Sequence, residues 1–392
     1  MSMVEWKRMW EVTTWDKKFS GVDKLMQPIV LKYHYYLANE LAKLERPNGD
    51  IRILYTTDKE AFVDSDDVEG NISEGEVVTI PWGGNVNIQY YKGRFVTADN
   101  RIATSSNVDY LCNKYLYYWM LSQKEEIGKF YRGAGIKHPS MLSVLTMLVP
   151  IPEISEQQRI VSILDIFTSS IENLKQQIVQ RRKQYEYYRD QLLDLEGKEG
   201  VEIKMLGNIM QIVRGASPRP IQNYITTEKD GINWIKIGDV SPNDKYITKT
   251  NEKITKEGAK KSRFLQPGAF ILSNSMSFGR PYILQIEGCI HDGWIAMSEY
   301  EKHVSSGYLF EVLNADTTQR YWGKKANNGG AMTNLNSDIV KETPIPIPSF
   351  SEQQRIVSIL DSFEASIANL EAQLSLREKQ YEYYRNKLLT FE

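Results

Sequence analysis

From Ile160 onward the chain places apolar residues in steps of four and three: Ile160, Leu164, Phe167, Ile171, Leu174 and Ile178, then Tyr185, Tyr188, Leu192 and Leu195. This is a heptad seam, and no glycine or proline interrupts it, so the spacing predicts one long helix. The same steps return at Ile356, Leu360, Phe363, Ile367, Leu370 and Leu374, then Tyr381, Tyr384, Leu388 and Phe391. One arginine breaks each run, Arg181 in the first and Arg377 in the second. Ser155 with Gln158, and Ser351 with Gln354, have capping-box spacing and predict where each helix starts, just after a proline-rich approach. A helix of about 40 residues spans on the order of 60 Å. Two such helices in one chain most simply bury their seams against each other. Antiparallel pairing fits best, because the intervening residues must bring the chain back to start the second helix. The arginines either fix the register of the pair or snorkel out of it.

Outside the helices the pattern is mixed. Residues 232–237, 269–272 and 282–286 form short strand-like runs between turn residues, as do 77–80 and 94–97. Helical spacing covers Tyr110 to about Ile127 and Ser306 to about Tyr321, each with an apolar face that fits packing on a core. The expected fold class is α+β, two mixed α/β domains alternating with two long helices that pair as an antiparallel coiled coil. The boundaries expected are 1–148, 149–197 for the first helix, 198–344, and 345–392 for the second.

The helices are also copies. Ser155 to Asp165 recurs without change as Ser351 to Asp361, an offset of 196, and Lys183 to Arg189 returns as Lys379 to Arg385. About two-thirds of the positions from 155 to 196 match. Pro150-Ile151-Pro152 pairs with Pro346-Ile347-Pro348, and Val4-Glu5 resembles Val201-Glu202. Seam packing constrains only seam positions, yet outward residues agree too. These are Glu156, Arg159, Lys183, Glu186 and Arg189, with Glu352, Arg355, Lys379, Glu382 and Arg385 as their counterparts. Recent duplication accounts poorly for this, since the globular portions share little beyond their ends. A surface offered twice to one kind of partner accounts for it better, and these ten residues are its candidates.

The loops carry groups suited to nucleic acid. In the first globular portion they are Trp82 and Asn85, the pair Asn100 and Arg101, and Arg132 with Lys137. In the second they are Arg214, Ser217 and Arg219, then Lys236, then Ser275, Ser277 and Arg280, and finally Asn327, Asn328, Thr333 and Asn334. Arginine and lysine match guanine edges and phosphates, and asparagine matches adenine. Surface turns use the same residue types, so any one loop is weak evidence. Residues 245–263 hold seven basic side chains against two acidic ones, which suits either a phosphate track or a solvated face.

Composition removes other classes. The formal net charge of −2 gives no global basic signature, although a local basic face can hide in a neutral average. No apolar run reaches the roughly 18 residues of a membrane span. The first ten residues lack the apolar stretch of a signal peptide, so a cytoplasmic location is expected. Two cysteines give neither a disulfide framework nor a zinc set, and the four histidines show no metal spacing. There is no phosphate-binding glycine loop, no dinucleotide fingerprint and no adenine-methyltransferase motif. His291-Asp292 beside Cys289 is the nearest thing to a reactive cluster, and a structural or contact role suits it better.

Two dissimilar domains alternating with two near-identical helices resemble the specificity subunits of type I restriction-modification systems. The Pro-Ile-Pro run, Ser-Glu-Gln-Gln-Arg-Ile-Val and Tyr-Glu-Tyr-Tyr-Arg at 149–196 and 345–392 are similar to that family's conserved regions. Residues 215–219, 234–239 and 267–268 are similar to its recognition domains. The resemblance implies a chain without catalytic activity that binds double-stranded DNA and no cofactor of its own. Each domain would read one half of a split, asymmetric site, and the helices would set the spacer. Half-sites about 34 Å apart present their major grooves on one face of the duplex. Two copies of a modification subunit would dock, bringing S-adenosylmethionine and adenine N6-methylation. Restriction subunits would add ATP- and Mg-dependent translocation and cleavage. The rival readings are a stand-alone bipartite DNA-binding regulator, a coiled-coil scaffold with two protein-binding heads, and an enzyme whose site has no recognisable motif.

Overall fold

The computed structural model describes residues 4–68, 70–241, 244–274, 278–326 and 334–391. Two compact units divide the chain, one made of residues 1–175 with 373–392 and the other of residues 176–372. Each unit holds one globular portion, the start of the long helix that follows it, and the end of the other long helix.

In the first unit a six-stranded sheet runs in the order Thr13–Trp15, Asn100–Ser105, Ser73–Pro81, Gln89–Thr97, Ile51–Leu54, Ala61–Val63. Neighbours are antiparallel except Ile51–Leu54 beside Gln89–Thr97, which is parallel. The strands expected at 77–80 and 94–97 lie inside the two longest of these. Val78 and Ile80 enter one core while Val77 enters another, which explains an apolar run without strict alternation. The helix expected from Tyr110 to Ile127 is two helices, Asn113–Ser122 and Lys124–Lys129, parted at Gln123.

The second unit repeats the frame. Its main sheet runs Gln211–Arg214, Trp294–Ser298, Phe270–Ser273, Pro281–Leu284, Tyr246–Ile247. The pairings are again antiparallel three times and then parallel. A second sheet, Ile225–Thr226, Glu252–Ile254, Ile232–Ile235, Gly288–Ile290, Arg263–Leu265, has no counterpart among the described residues of the first unit. The helix expected from Ser306 to Tyr321 is Ser306–Asn314 followed by Asp316–Ala326, interrupted by the extended backbone of Ala315. Each unit is closed by a two-stranded ribbon, Glu5–Arg8 with Leu148–Ile151 and Glu202–Met205 with Pro344–Ile347. Glu5 lies opposite Ile151 as Glu202 lies opposite Ile347, which accounts for the faint repeat at the ends of the globular portions.

The long helices span Ile154–Leu193 and Phe350–Leu389. The capping boxes at Ser155 and Ser351 do not form, because both serines already lie inside helices that begin at Ile154 and Phe350. The Gln157 N–H bonds to the Glu153 carbonyl, and the Ser349 hydroxyl accepts from the Glu352 N–H at 3.3 Å. What the repeated segment does instead is dock. Gln157 and Gln353 are fully buried. The Cys112 N–H donates to Gln157 Oε1 (2.9 Å), and Gln157 Nε2 donates to the carbonyls of Tyr110 and Pro152 (both 2.9 Å). In the second unit the Ser305 N–H donates to Gln353 Oε1 (2.8 Å), and Gln353 Nε2 donates to His303 and Pro348 (3.0 and 3.1 Å). The next seam residues, Ile160 with Leu164 and Ile356 with Leu360, are buried in the cores of their own units, which the end of the other long helix also enters.

Beyond that point the helices pair antiparallel. In the first unit Phe167 stacks on Tyr384, with centroids 5.3 Å apart, and Leu389 enters the core. In the second, Tyr188 stacks on Phe363 at 5.4 Å, and Leu193 enters the core. Neither arginine leaves the seam for water. Arg181 lies over the Phe363 ring at 5.9 Å and Arg377 over Phe167 at 5.7 Å, so each phenylalanine is held between a tyrosine and a guanidinium.

Candidate nucleic-acid interface

In each unit the loops gather at the corresponding end of that unit's own main sheet. The Trp82 N–H donates to the Asp99 carbonyl (2.7 Å), and the Asn274 N–H donates to the Gly293 carbonyl (3.1 Å). Each bond ties the exit of the central strand to the entry of its neighbour.

In the first unit this end carries a cleft of about 560 Å³, bordered by Lys17, Lys18, Trp82, Arg101 and His138. The His138 ring packs on Trp82 at 4.6 Å, and the Arg101 guanidinium lies over Trp82 at 5.5 Å and Phe19 at 6.0 Å. Arg101 is 93 % covered, so burial lowers its pKa, opposed chiefly by the Asp16 carboxylate. Burial likewise raises Asp16, which accepts from the Tyr35 hydroxyl (2.8 Å) and the Ile102 N–H (3.0 Å). The 82–87 loop is seated on the hairpin of Tyr131–Arg132 and His138–Pro139, where the Gly84 N–H donates to the Lys137 carbonyl (2.8 Å). A Cβ at Gly83 would come within 2.8 Å of the exposed Ile136 side chain, which would have to shift. Trp82, Asn85, Arg132 and Lys137 are exposed, and the hairpin contact gathers these loops beside Arg101.

Asn100 does not belong to this face. It is fully buried, and its amide donates to the Leu54 carbonyl (2.8 Å) and the Thr97 hydroxyl (3.1 Å). Its sequence context resembles a turn, but the residue begins a strand and its side chain braces the sheet.

In the second unit a cleft of about 510 Å³ is bordered by Ser217, Arg219, Trp234, Lys236, His291 and Asp292. Asp292 is the organiser. The Ser217 hydroxyl donates to Oδ1 (2.6 Å), Arg219 Nη2 lies 3.2 Å from Oδ2, and Arg214 Nε donates to the Asp292 carbonyl (3.0 Å). The Ser217 hydrogen bond, with His291 and Arg219 nearby, holds the Asp292 carboxyl below its usual range against partial burial. Gly215 lets the 214–219 loop lie against this turn, since a Cβ would sit 2.1 Å from the His291 carbonyl. Lys236 is paired with Glu252 at 2.5 Å. Arg280 is half-buried at the entry to Pro281–Leu284. Asn334 is exposed beside Leu335, whose N–H donates to the Asn274 carbonyl (3.0 Å). Ser275, Ser277, Asn327, Asn328 and Thr333 lie outside the described residues. Cys289 is buried in a separate apolar cluster with Trp234 and Ile254, so it forms no reactive set with His291.

The outward helix residues divide as well. Glu156 pairs with Arg159 (2.6 Å) and Glu352 with Arg355 (2.7 Å) near the helix starts. Lys183, Glu186, Lys379 and Glu382 are exposed. Arg189 and Arg385 instead lie over the rings of Tyr185 and Tyr381 on their own helices.

The family model for the type I restriction modification DNA specificity domain matches residues 35–181 and again 198–376. The chain belongs to that family. Specificity subunits are non-catalytic, and so is this one. The chain is 30 % identical over 349 residues to a Haemophilus influenzae protein assigned as a type I restriction enzyme specificity subunit, covering 83 % of this chain and 86 % of that one. It is also 30 % identical over 310 residues to the EcoR124I/EcoR124II specificity subunit of Escherichia coli, covering 74 % of each. The fold matches the crystal structure of the type I restriction-modification S subunit of M. genitalium with a TM-score of 0.59 at 15 % identity. That match covers 100 % of this chain and 97 % of the other. Among the described residues no helix is long and apolar enough to cross a membrane, and no group of histidine, cysteine and acidic side chains is placed to hold a metal.

Proposed function

We propose that the chain recognises a split, asymmetric site in double-stranded DNA, one half by each globular portion, with the paired helices setting the unread spacer. The observation that carries this is one frame used twice with two different loop ends. A Trp82–Arg101–His138 recess in the first unit is replaced by an Asp292-centred set of Arg214, Ser217 and Arg219 in the second. Aromatic faces beside cations suit base and phosphate contact, and a carboxylate that holds cations in place preorganises them.

The complex would be cytoplasmic. Two copies of an adenine-N6 methyltransferase subunit would dock on the repeated helix surfaces, led by Glu156, Arg159, Glu352 and Arg355, with Lys183, Glu186, Lys379 and Glu382 further along. S-adenosylmethionine would sit on those subunits, and ATP and Mg on restriction subunits recruited through them. The test is methylome sequencing of the host with and without this gene. Loss of adenine methylation at one split motif is the expected result, and an unchanged methylome in an active strain overturns the reading. Exchanging residues 1–148 should rewrite one half of the motif and leave the other intact.

A further inference from the structure

Across residues 155–196 and their copies the helices differ at 14 positions, and at only two of these does the charge change sign. Lys175 is answered by Glu371, and Arg182 by Glu378. These four side chains also form ion pairs between the helices. Lys175 pairs with Glu378 at 3.6 Å in the first unit, and Arg182 pairs with Glu371 at 2.5 Å in the second.

The aromatic seam does not distinguish the two helices. Phe167 on Tyr384 and Phe363 on Tyr188 are the same contact made from copied residues, so two first helices from separate chains could reproduce it. The flanking charges could not be reproduced. In the same antiparallel register a pair of first helices sets Lys175 against Arg182, and a pair of second helices sets Glu371 against Glu378. Opposite charges flanking a coiled-coil seam attract and like charges repel, which is how such pairs choose partners. Drift after duplication gives no reason for both sign changes to fall on the facing positions.

We infer that Lys175, Arg182, Glu371 and Glu378 are a pairing code that commits the first long helix to the second and rejects the like helix of another copy of this chain. The inference does not depend on what the globular portions bind. Full-length Lys175→Glu/Arg182→Glu and full-length Glu371→Lys/Glu378→Arg each place like charges across the pair, and the quadruple variant restores attraction with the signs exchanged. Each double variant should lower the thermal midpoint by roughly 2–5 °C at low salt, and the quadruple should return to within about 1 °C of the parent. The losses should shrink in 1 M salt, where the Debye length is about 3 Å.

The two double variants, one tagged and co-expressed with the other, carry all-acidic and all-basic flanks. They should co-purify as a mixed species to a greater extent than two differently tagged parent chains. A quadruple variant that melts at the sum of the two losses, or a mixed yield no greater than the parent's, overturns the inference.

Discussion

Gln157 accepts a hydrogen bond from the Cys112 N–H, and through it the first turn of a 40-residue helix is fastened to a strand-and-helix core. Removing the amide strands one buried donor and two carbonyls. Gln157→Ala should destabilise the first unit, and Gln353→Ala the second, each by about 1–3 kcal/mol. Gln157→Glu should be no milder, because a carboxylate would face the Tyr110 and Pro152 carbonyls. Hydrogen exchange would show protection falling in the unit that carries the substitution and holding in the other.

Arg181 and Phe363 offer a separable measurement. A double-mutant cycle with Arg181→Ala and Phe363→Leu should return a coupling of about 0.5–1 kcal/mol, and Arg377 with Phe167 the same. A coupling near zero in urea denaturation would mean the arginines only shield the seam.

Glu311 makes the second unit sensitive to pH. Burial pushes its carboxyl up to about 7, even though the Tyr185 hydroxyl donates to it at 2.7 Å. The folded unit keeps this proton to about pH 7, whereas the unfolded chain releases it near 4.5. Unfolding between those values releases a proton, so stability falls as pH rises through that window and the loss is complete above it. The size is about 3 kcal/mol. Glu311→Gln should raise the melting temperature of this unit at pH 8 and leave it little changed at pH 4, as calorimetry would record.

Asp292 tests the recognition proposal. Asp292→Ala removes the carboxylate that holds Ser217 and Arg219, while the Asp292 backbone still meets Arg214 and Ser217. Discrimination at one half of the methylated motif should fall roughly tenfold, with the other half read as before. Equal loss at both halves, measured by sequencing methylated libraries, would count against a half-site role for this cleft.

The seam from Phe167 onward and the antiparallel pairing were legible because heptad spacing records which face is covered. What covers it is not recorded, so Ile160 and Leu164 gave no sign that they pack on a globular core. Ser155 has the right spacing for a cap, but spacing cannot choose between helix starts two residues apart. Asn100 sits in a sequence that looks like a turn, and only its strand neighbours reveal that it is enclosed. Asp292 is joined to Ser217 across 75 residues. No local pattern encodes such a pairing, so the organiser of the second cleft was visible only as one acidic residue near a histidine.

The second sheet of the 176–372 unit is assembled wholly from segments lying between consecutive strands of the five-strand frame. Three such segments join each other, and the order and direction of the frame strands are the same as in the unit that lacks them. Growth is thus confined to the connections, where added strands pair among themselves and pack on the frame without reordering it. A chain built this way can acquire a new reading surface by lengthening its links, and its helices need no matching alteration.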